Sequence, residues 1–406
     1  MRHYRPLFVT STARSGAGLI SRMLSANSQI MVAADPFLEL FRSLRNAFVR
    51  QHAPADALES FDPSSPMQDY YFTDARIKLM DAVQQGDLSL SFDNREWEAF
   101  LDRGAPRCAL ENADLAQHFA DIRAATYKEM MENGLSIIAK TRKVNRRKWV
   151  GLKEAWGIEF FRPLATAFPD ARFIIVRRDP RATLNSHIGA VRNNPGTAGE
   201  TLSYLRHWRK IVAFAVHYRH DPLFADRLFV VTHEQVLQAP EQKARELCEF
   251  LDVDYEPGML DTKNYFDFAT GTTWPGNSGW EKTTSGINTH AAERWRSTLD
   301  PKISRMVEFL CEYDMRLMGD GPLDADSTGH WPSADILECI IESSQGSWNW
   351  RSDLGDPQQD YGFELFRRAL LHLPEPPSDP MLVRRSFLFE SVYERLRQIA
   401  VARAAA

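Results

Sequence analysis

Residues 7–20 read LFVTSTARSGAGLI and combine an apolar run, a loop with two glycines and the start of a helical pattern. The first four residues, Leu7 to Thr10, are typical of a short buried strand. Beyond the loop, apolar residues recur at helical spacing at Leu19, Ile20, Met23 and Leu24. This order of strand, loop and helix predicts a ligand site in the loop, because ligands of open α/β sheets bind at the carboxyl ends of strands.

The same alternation returns in the middle of the chain. Apolar runs at 173–176 (FIIV) and 228–231 (LFVV) predict two more strands, and helical patterns cover 158–168, 177–186 and 241–251. Strands that alternate with helices predict a parallel sheet with helices on its faces. We therefore expect an α/β fold with a central parallel sheet flanked by helices.

Two segments depart from this alternation. Residues 46–147 show helical periodicity broken by turns, which predicts a helical insertion that either shapes a binding pocket or serves as scaffold. Residues 321–406 predict a C-terminal helical extension, and the sequence leaves open whether it closes a pocket, dimerises or packs. The predicted main domain is 1–320, with a core formed by 1–45 and 148–320.

Composition narrows the class of protein. A net charge of −5 argues against a protein that coats nucleic acid. The four cysteines lie far apart without a CxxC pair, which indicates reduced, structural thiols. The N-terminal apolar run is too short for a signal peptide, and no run reaches the roughly 18 residues of a membrane span. We therefore expect a cytoplasmic protein without a membrane span, and a homo-oligomer is compatible with the sequence.

The loop at 12–18 (TARSGAG) has the composition of a phosphate-binding turn. Gly16 and Gly18 let the backbone wrap closely around an anion, and the N–H groups of Gly16 to Leu19 are expected at a helix N-terminus, whose dipole favours negative charge. Arg14 adds a permanent cation with two-pronged geometry. The alternative is a turn whose glycines serve packing alone. No GK[ST] follows the second glycine, so this is not a Walker A loop.

A second group of cations follows the strand at 173–176. Three arginines lie at its end, namely Arg177, Arg178 and Arg181. The Asp-Pro pair between them stops the strand and starts a helix, and Ser186 lies two turns into that helix. Arg178 and Ser186 predict a second phosphate site, and the alternative is a solvated, salt-bridged strand exit. Two such sites at the ends of two strands suit a nucleotide with phosphates on its 5′ and 3′ sides.

Both elements resemble those of the sulfotransferase superfamily. The family's 5′ loop usually reads [PA]-[KR]-S-G-[ST]-[ST], and residues 13–16 (ARSG) fit its first half. The family's 3′ element usually reads R-D-P-R-x-x-x-x-S, and residues 178–186 fit it completely. The resemblance covers roughly residues 6–42 and 148–319, and it implies a P-loop-like sulfotransferase fold. The histidines show no metal-ligand spacing, so no metal cofactor is expected.

The resemblance also implies a donor, 3′-phosphoadenosine 5′-phosphosulfate (PAPS), and an acceptor hydroxyl or amine on a small molecule, carbohydrate or peptide. The residues that it assigns to donor binding are Arg14, Ser15, Gly16, Ala17, Gly18, Leu19, Arg178 and Ser186. Ala17 and Gly18 replace the usual pair of hydroxyl residues, so backbone N–H groups are left to hold the 5′-phosphate. His233 stands where tyrosine is common.

Three residues are the predicted catalytic groups. Arg14 and Lys153 would stabilise charge on the departing phosphate oxygen, since the family's lysine at this point reaches the transferring group. Asp35 is the predicted base, by resemblance to the branch that includes tyrosylprotein sulfotransferases, and Glu39, Glu154 or a histidine are alternatives. The structural alternative for Asp35 is a cap on the following helix.

Two other functions stay open from the sequence. A P-loop kinase or other nucleoside triphosphate enzyme shares the α/β fold, but it would carry GK[ST] and a strand-end acid for magnesium. A non-catalytic scaffold that binds the product nucleotide, 3′,5′-bisphosphoadenosine (PAP), would not depend on Asp35 or Lys153. Tight binding of PAP without magnesium separates the family expectation from the kinase alternative.

Overall fold

The computed structural model describes residues 4–68, 70–92, 94–142, 148–193, 201–276, 287–319, 336, 338 and 356–404. The chain divides into two compact units. The first contains Met1–Pro63, Lys78–Arg177 and Arg219–Thr289, and the second contains Ser64–Ile77, Arg178–Tyr218 and His290–Ala406. The predicted domain boundary at residue 320 stays a prediction.

The first unit is built on a five-stranded sheet. Its strands are β1 (Arg5–Ser11), β2 (Ile30–Ala34), β3 (Trp149–Lys153), β4 (Arg172–Arg177) and β5 (Leu228–Thr232). They lie in the order β2-β3-β1-β4-β5, and every neighbouring pair is parallel. The predicted α/β fold with a parallel sheet is confirmed. Because all strands run the same way, their carboxyl ends meet at one edge of the sheet.

Two of these strands were not predicted from the sequence, and both are short. β2 reads IMVAA, and alanine favours strands weakly. β3 reads WVGLK and contains Gly151, which is paired with Leu7 of β1. A Cβ at Gly151 would overlap the Leu7 carbonyl group, so this glycine lets the two backbones approach. Gly151 therefore weakens the strand pattern in the sequence, although the close pairing of β3 with β1 requires a glycine at this position.

Helices connect these strands. Between β2 and β3 the chain is helical, as predicted, in α2 (Leu38–His52), α3 (Ala55–Leu58), α4 (Asp74–Gln84), α5 (Asn94–Ala109), α6 (Ala113–Ala116) and α7 (Tyr127–Thr141). The other helices of the first unit are α1 (Ala17–Ser25), α8 (Phe161–Ala167), α11 (His233–Gln238) and α12 (Pro240–Phe250). Apolar residues of α1 and α12 form a buried core with β1, β2 and β4. The first unit also contains a two-stranded ribbon, β6 (Phe266–Asp267) and β7 (Thr272–Thr273).

The helices of the second unit include α9 (Pro180–Asn193), α10 (Thr201–Arg219), α13 (Trp295–Thr298) and α14 (Pro301–Met318). The predicted C-terminal extension contributes α15 (Pro357–Leu370), α16 (Pro380–Phe387) and α17 (Glu390–Ala404). Helix α10 was not predicted, because it is buried on nearly all sides, including its cations Arg206, Arg209 and Lys210. Buried charges interrupt the apolar periodicity by which a helix is recognised in a sequence.

The three cysteines in the described part of the chain are free thiols, namely Cys108, Cys248 and Cys311. Burial raises the pKa of each, to about 12 for Cys108 and about 11 for Cys248. The fourth, Cys339, lies outside the described residues. Among the helices that the structure describes, none is both long and apolar enough to pass through a bilayer.

Candidate functional site

The loop after β1 has a backbone that only certain residues adopt. Arg14 has a φ of 64° and Gly16 has a φ of 86°, and Gly16 is the N-cap of α1. A Cβ at Gly16 would overlap the ring of His233, at the start of α11. Glycine is therefore required at this position by both the left-handed φ and the histidine against it. Nothing in the sequence predicts the contact between Gly16 and His233.

The loop presents hydrogen-bond donors at the start of α1. In the described chain, the N–H groups of Gly16, Ala17 and Gly18 donate to no carbonyl, whereas the Leu19 N–H donates to the Gly16 carbonyl at 3.0 Å. The Ser15 hydroxyl is buried and has no hydrogen-bond partner among the described residues. Three of the four predicted N–H groups and one buried hydroxyl are thus left for an anion, at the positive end of the helix dipole.

Asp35 and Lys153 form an ion pair at the carboxyl ends of two neighbouring strands. Asp35 follows β2, Lys153 ends β3, and the Lys153 ammonium donates to the Asp35 carboxylate. The Asp35 N–H donates to the Lys153 carbonyl at 2.7 Å, and the Ala155 N–H donates to Asp35 Oδ1 at 3.4 Å. Their side chains keep 18% and 12% of their accessible surface, so a ligand can reach both groups.

The structural alternative for Asp35, a cap on the following helix, is wrong. The N-cap of α2 is Phe37, and no side chain caps that helix. Asp35 instead has a φ of 48°, a left-handed conformation that aspartate and asparagine tolerate better than most residues. The backbone at Asp35 therefore turns its carboxylate toward Lys153 rather than toward α2.

The order of the strands brings this ion pair next to the glycine loop. Strand β3 lies between β2 and β1, and Lys153 is paired in register with Ala34 on one side and Val9 on the other. Val9 lies two residues before the end of β1, and the loop follows directly. The first unit thus brings Lys153, Asp35 and the start of α1 to the same edge of the sheet.

The two alternative carboxylate bases are less available than Asp35, because Glu154 is buried and Glu39 forms ion pairs. Burial, and after it the nearby carboxylate of Asp35, raises the pKa of Glu154 well above its usual value. Its backbone joins β1, with the Glu154 N–H donating to the Val9 carbonyl at 2.9 Å. Glu39 pairs with Arg42 at 3.1 Å and with Arg103 at 3.5 Å. Neither carboxylate is as accessible a base as Asp35.

The predicted 3′ residues lie in the second unit. Arg178 is buried, its Nη2 donates to the Ala291 carbonyl at 2.6 Å, and its own carbonyl accepts from Trp208 Nε1 at 2.9 Å. Ser186 lies on α9 and is also buried. Arg181, by contrast, is held in ion pairs with Asp179 and Glu308, both at 2.6 Å. That Arg178 and Ser186 face the same nucleotide as the glycine loop stays a prediction.

Two further charged residues near Asp35 escaped sequence analysis. Burial raises the pKa of Glu111, and the carboxylate of Asp35 raises it further. Arg22, on α1, interacts electrostatically with both of these acids. A lone glutamate after a helix and a lone arginine in a helix carry no motif, so the sequence offered no signal for them. Among the described residues, no cluster of histidine, cysteine and carboxylate side chains has metal-binding geometry.

Comparison with known proteins identifies the same part of the chain. Residues 6–257 match the model of the sulfotransferase family. Similar proteins include carbohydrate sulfotransferase 3 of Tetronarce californica, 26% identical over 197 residues, which cover 45% of this chain and 43% of that protein. Protein-tyrosine sulfotransferase of Drosophila melanogaster is 29% identical over 107 residues, 26% of this chain and 21% of that protein.

The chain is also similar to a solved structure. The sulfotransferase domain of the Synechococcus PCC 7002 olefin synthase is 17% identical, and the match covers 74% of this chain and 90% of that one with a TM-score of 0.43. The chain spans less than half the length of the two curated relatives above.

Proposed function

Because this chain belongs to the sulfotransferase family, we propose that it transfers a sulfuryl group from PAPS to a hydroxyl or amine of an acceptor. One observation carries the proposal: the ion pair of Lys153 and Asp35 adjoins the glycine loop at the carboxyl edge of the sheet. This arrangement provides a cation for the donor and a base for the acceptor next to a set of anion-binding N–H groups.

The glycine loop suits the 5′-phosphate group of the donor. The N–H groups of Gly16, Ala17 and Gly18 and the Ser15 hydroxyl would donate to phosphate oxygens, and Arg14 would add positive charge. A side chain at Gly16 would fill the space over the loop, where the His233 ring already lies. Ala17 and Gly18 bring no hydroxyl groups, so in this proposal the backbone does most of the work at the 5′-phosphate.

Arg178 and Ser186 are proposed to hold the 3′-phosphate. Arg178 provides a guanidinium group, and its backbone carbonyl is held by a hydrogen bond from Trp208. Ser186 provides a hydroxyl group on the helix that follows. Arginine matches phosphate geometry with two parallel hydrogen bonds. A site of this kind would distinguish PAP from nucleotides that carry only a 5′-phosphate.

The donor supplies the sulfuryl group, which leaves a phosphate oxygen and passes in line to the acceptor atom. Lys153 and Arg14 stabilise the negative charge that develops on that oxygen. Asp35 accepts the proton of the acceptor hydroxyl, because its carboxylate is more accessible than that of Glu154. As in phosphoryl transfer, most of the rate acceleration comes from positioning and charge stabilisation.

The proposed acceptor class rests on the names of similar proteins. The similar proteins named above act, by their names, on carbohydrate and on protein tyrosine. We propose that the acceptor is a hydroxyl on a sugar or a phenol ring.

The decisive experiment is isothermal titration of the full chain with PAP in the absence of magnesium, beside ATP with magnesium. Tighter binding of PAP is expected, and transfer of labelled sulfate from PAPS to a panel of sugar and phenol acceptors should follow. Tighter binding of ATP with magnesium would overturn the proposal in favour of a nucleoside triphosphate enzyme. PAP binding with no transfer to any acceptor would favour the scaffold instead.

A further inference from the structure

A cavity of about 210 Å³ lies in the first unit beside α1 and β2. Its lining includes four polar residues and two aromatic ones, namely Arg22, Glu111, Asn112, Asn264, Phe266 and Phe268. Ala34, which immediately precedes Asp35, also lines it. The volume is below the ~300–1,000 Å³ of pockets for drug-sized ligands, which suits a single ring.

Arg22 places a poorly solvated positive charge at this cavity. Its guanidinium lies over the Trp274 ring at 4.6 Å, and its Nη1 donates to the Gly18 carbonyl at 3.3 Å. Its Nε is buried and has no hydrogen-bond partner in the described chain, where no carboxylate lies within ion-pair distance of it. Burial lowers the pKa of Arg22, but an arginine stays protonated in proteins. A desolvated cation of this kind favours an anionic ligand.

Glu111 connects Arg22 with the proposed catalytic pair. Its carboxyl group interacts electrostatically with Arg22, with Asp35 and with Lys153. Burial raises the pKa of Glu111. Glu111, Asp267 and Asp35 all attract Arg22 electrostatically, but in the described chain none of them forms an ion pair with it. The lining of the cavity therefore contains a partly buried cation, Arg22, together with Ala34, the residue before the proposed base.

We propose that this cavity binds the acceptor, and that Arg22 binds a carboxylate or sulfate group carried by that acceptor. The fork of the guanidinium suits either oxyanion, while Phe266 and Phe268 form an apolar wall for a ring. The hydroxyl of the same molecule then lies toward Asp35. This inference rests on the proposed function, because it assigns the acceptor of that reaction.

The test measures binding of two matched pairs of probes to the full chain saturated with PAP. One pair is methyl glucuronoside and methyl glucoside, and the other is N-acetyltyrosine and its methylamide. Within each pair only the carboxylate differs. We expect the carboxylate member of one pair to bind roughly tenfold tighter, from the strength of a charge-assisted hydrogen bond. The pair that shows this preference identifies the ring as sugar or phenol.

Arg22→Gln should remove the preference, and Arg245→Gln is the matched control. Arg245 is an exposed arginine on α12 that pairs with Glu241, so its loss changes net charge without touching the cavity. The inference is overturned if neither carboxylate probe binds wild type more tightly than its neutral partner, or if Arg22→Gln keeps the preference. Failure of PAP itself to bind would instead count against the proposed function.

A second inference comes from buried ion pairs in the second unit. Glu364 of α15 accepts from Arg206 Nε and Arg209 Nη2 of α10, both at 2.9 Å, and Asp360 accepts from Arg206 Nη1 at 2.7 Å. All four side chains are buried. The C-terminal extension thus neutralises two cations of a helix that lies in the middle of the sequence.

The same helix α10 holds the proposed 3′ residues. Its Trp208 donates to the Arg178 carbonyl at 2.9 Å. Its Tyr204 stacks on His187, the neighbour of Ser186, with ring centroids 4.5 Å apart. From these contacts we infer that α15 positions Arg178 and Ser186 through α10, with Glu364 as a positioning residue for the 3′-phosphate.

The test compares the affinities for PAP and for adenosine 5′-phosphate, which lacks the 3′-phosphate. Glu364→Gln should lower the ratio of these affinities roughly tenfold, while binding of adenosine 5′-phosphate stays near wild type. Asp314→Asn is the control, because Asp314 forms a buried ion pair at 3.0 Å with Arg367 of α15, and this pair does not involve α10. This variant also removes a buried carboxylate charge, but it should leave the ratio of the two affinities unchanged.

Glu364→Gln leaves buried guanidinium groups without a carboxylate, so a milder variant accompanies it. Trp208→Phe removes the hydrogen bond to the Arg178 carbonyl and keeps an aromatic ring in the core. It should lower the same ratio. A folded Trp208→Phe protein with the wild-type ratio overturns the inference, as does an equal fall in the ratio for Asp314→Asn. A wild-type protein that does not distinguish the two nucleotides counts against the proposed function itself.

Discussion

Lys153 and Asp35 are 118 residues apart in the sequence, and they form an ion pair because β2 and β3 are neighbours in the sheet. The lysine is held by the register of β3 with both of its neighbours, and the aspartate by a left-handed backbone. Two charged groups with distinct proposed roles are thus fixed within hydrogen-bonding distance of each other. The roles are separable by substitution.

Lys153→Met should lower the turnover number for sulfuryl transfer by about 100- to 1,000-fold, the cost of removing one group that stabilises transition-state charge. The affinity for PAP, which lacks the transferring group, should change much less. Steady-state transfer and calorimetry with PAP check the two quantities. Lys148→Met is the matched control, since Lys148 pairs with Asp252 at the protein surface. Equal activity of the two variants would contradict the role of Lys153.

Asp35→Asn should lower turnover by about 100- to 10,000-fold, the usual contribution of a general base. Asparagine keeps the shape of the side chain and tolerates the φ of 48° at this position, so the fold is expected to survive. Thermal unfolding and PAP titration verify that the protein is intact. Turnover at the wild-type rate in the folded variant shows that the base lies elsewhere.

Gly16→Ala should weaken PAP binding and destabilise the protein. An L-residue in the left-handed region costs about 1–2 kcal/mol, and the added methyl group also overlaps the His233 ring. Urea unfolding and calorimetry measure the two effects. Gly362→Ala, on an exposed turn of α15 with open space around it, should be neutral or slightly stabilising. The loop assignment is contradicted if Gly16→Ala binds PAP as wild type does.

Acid should weaken the link between α15 and α10. Burial alone would raise the pKa of Glu364, but Arg209 and Arg206 lower it to about 2, from an ordinary value of 4.5. The ionised Glu364 adds about 3 kcal/mol to the free energy of unfolding when the pH is above the pKa of this group in the unfolded chain. This contribution is lost as the pH falls from ~4.5 toward 2. Urea unfolding at several pH values should show the gap between wild type and Glu364→Gln narrowing over that window. A constant gap would contradict the ion pairs.

The sequence predicted the fold where local pattern and tertiary role agree. Strand β1 and its glycine loop, β4 and β5 carry apolar runs bounded by turns, and these were predicted correctly, as was the family. Strands β2 and β3 were missed because alanines end the apolar run of β2 and Gly151 interrupts that of β3. Helix α10 was missed because its buried cations depend on carboxylates that arrive more than 150 residues later.

The site was predicted as separate residues rather than as an arrangement. Asp35 and Lys153 were named for different roles, and nothing in the sequence predicted that they would be paired. The raised pKa of Glu154 and the position of Arg22 beside a cavity result from tertiary packing, which a single sequence does not reveal. The roles assigned to all of these residues stay predictions until the variants above are measured.

The buried carboxylates of α15 also limit where the chain can be cut. A fragment that ends near residue 320 keeps every strand of the sheet and all of residues 6–257, yet it lacks Asp360 and Glu364, the carboxylates that pair with Arg206 and Arg209. It also lacks the apolar residues of α15 to α17 that are buried in the whole chain. We therefore expect such a fragment to be less stable than the whole chain, although it contains the entire segment that the sulfotransferase family shares.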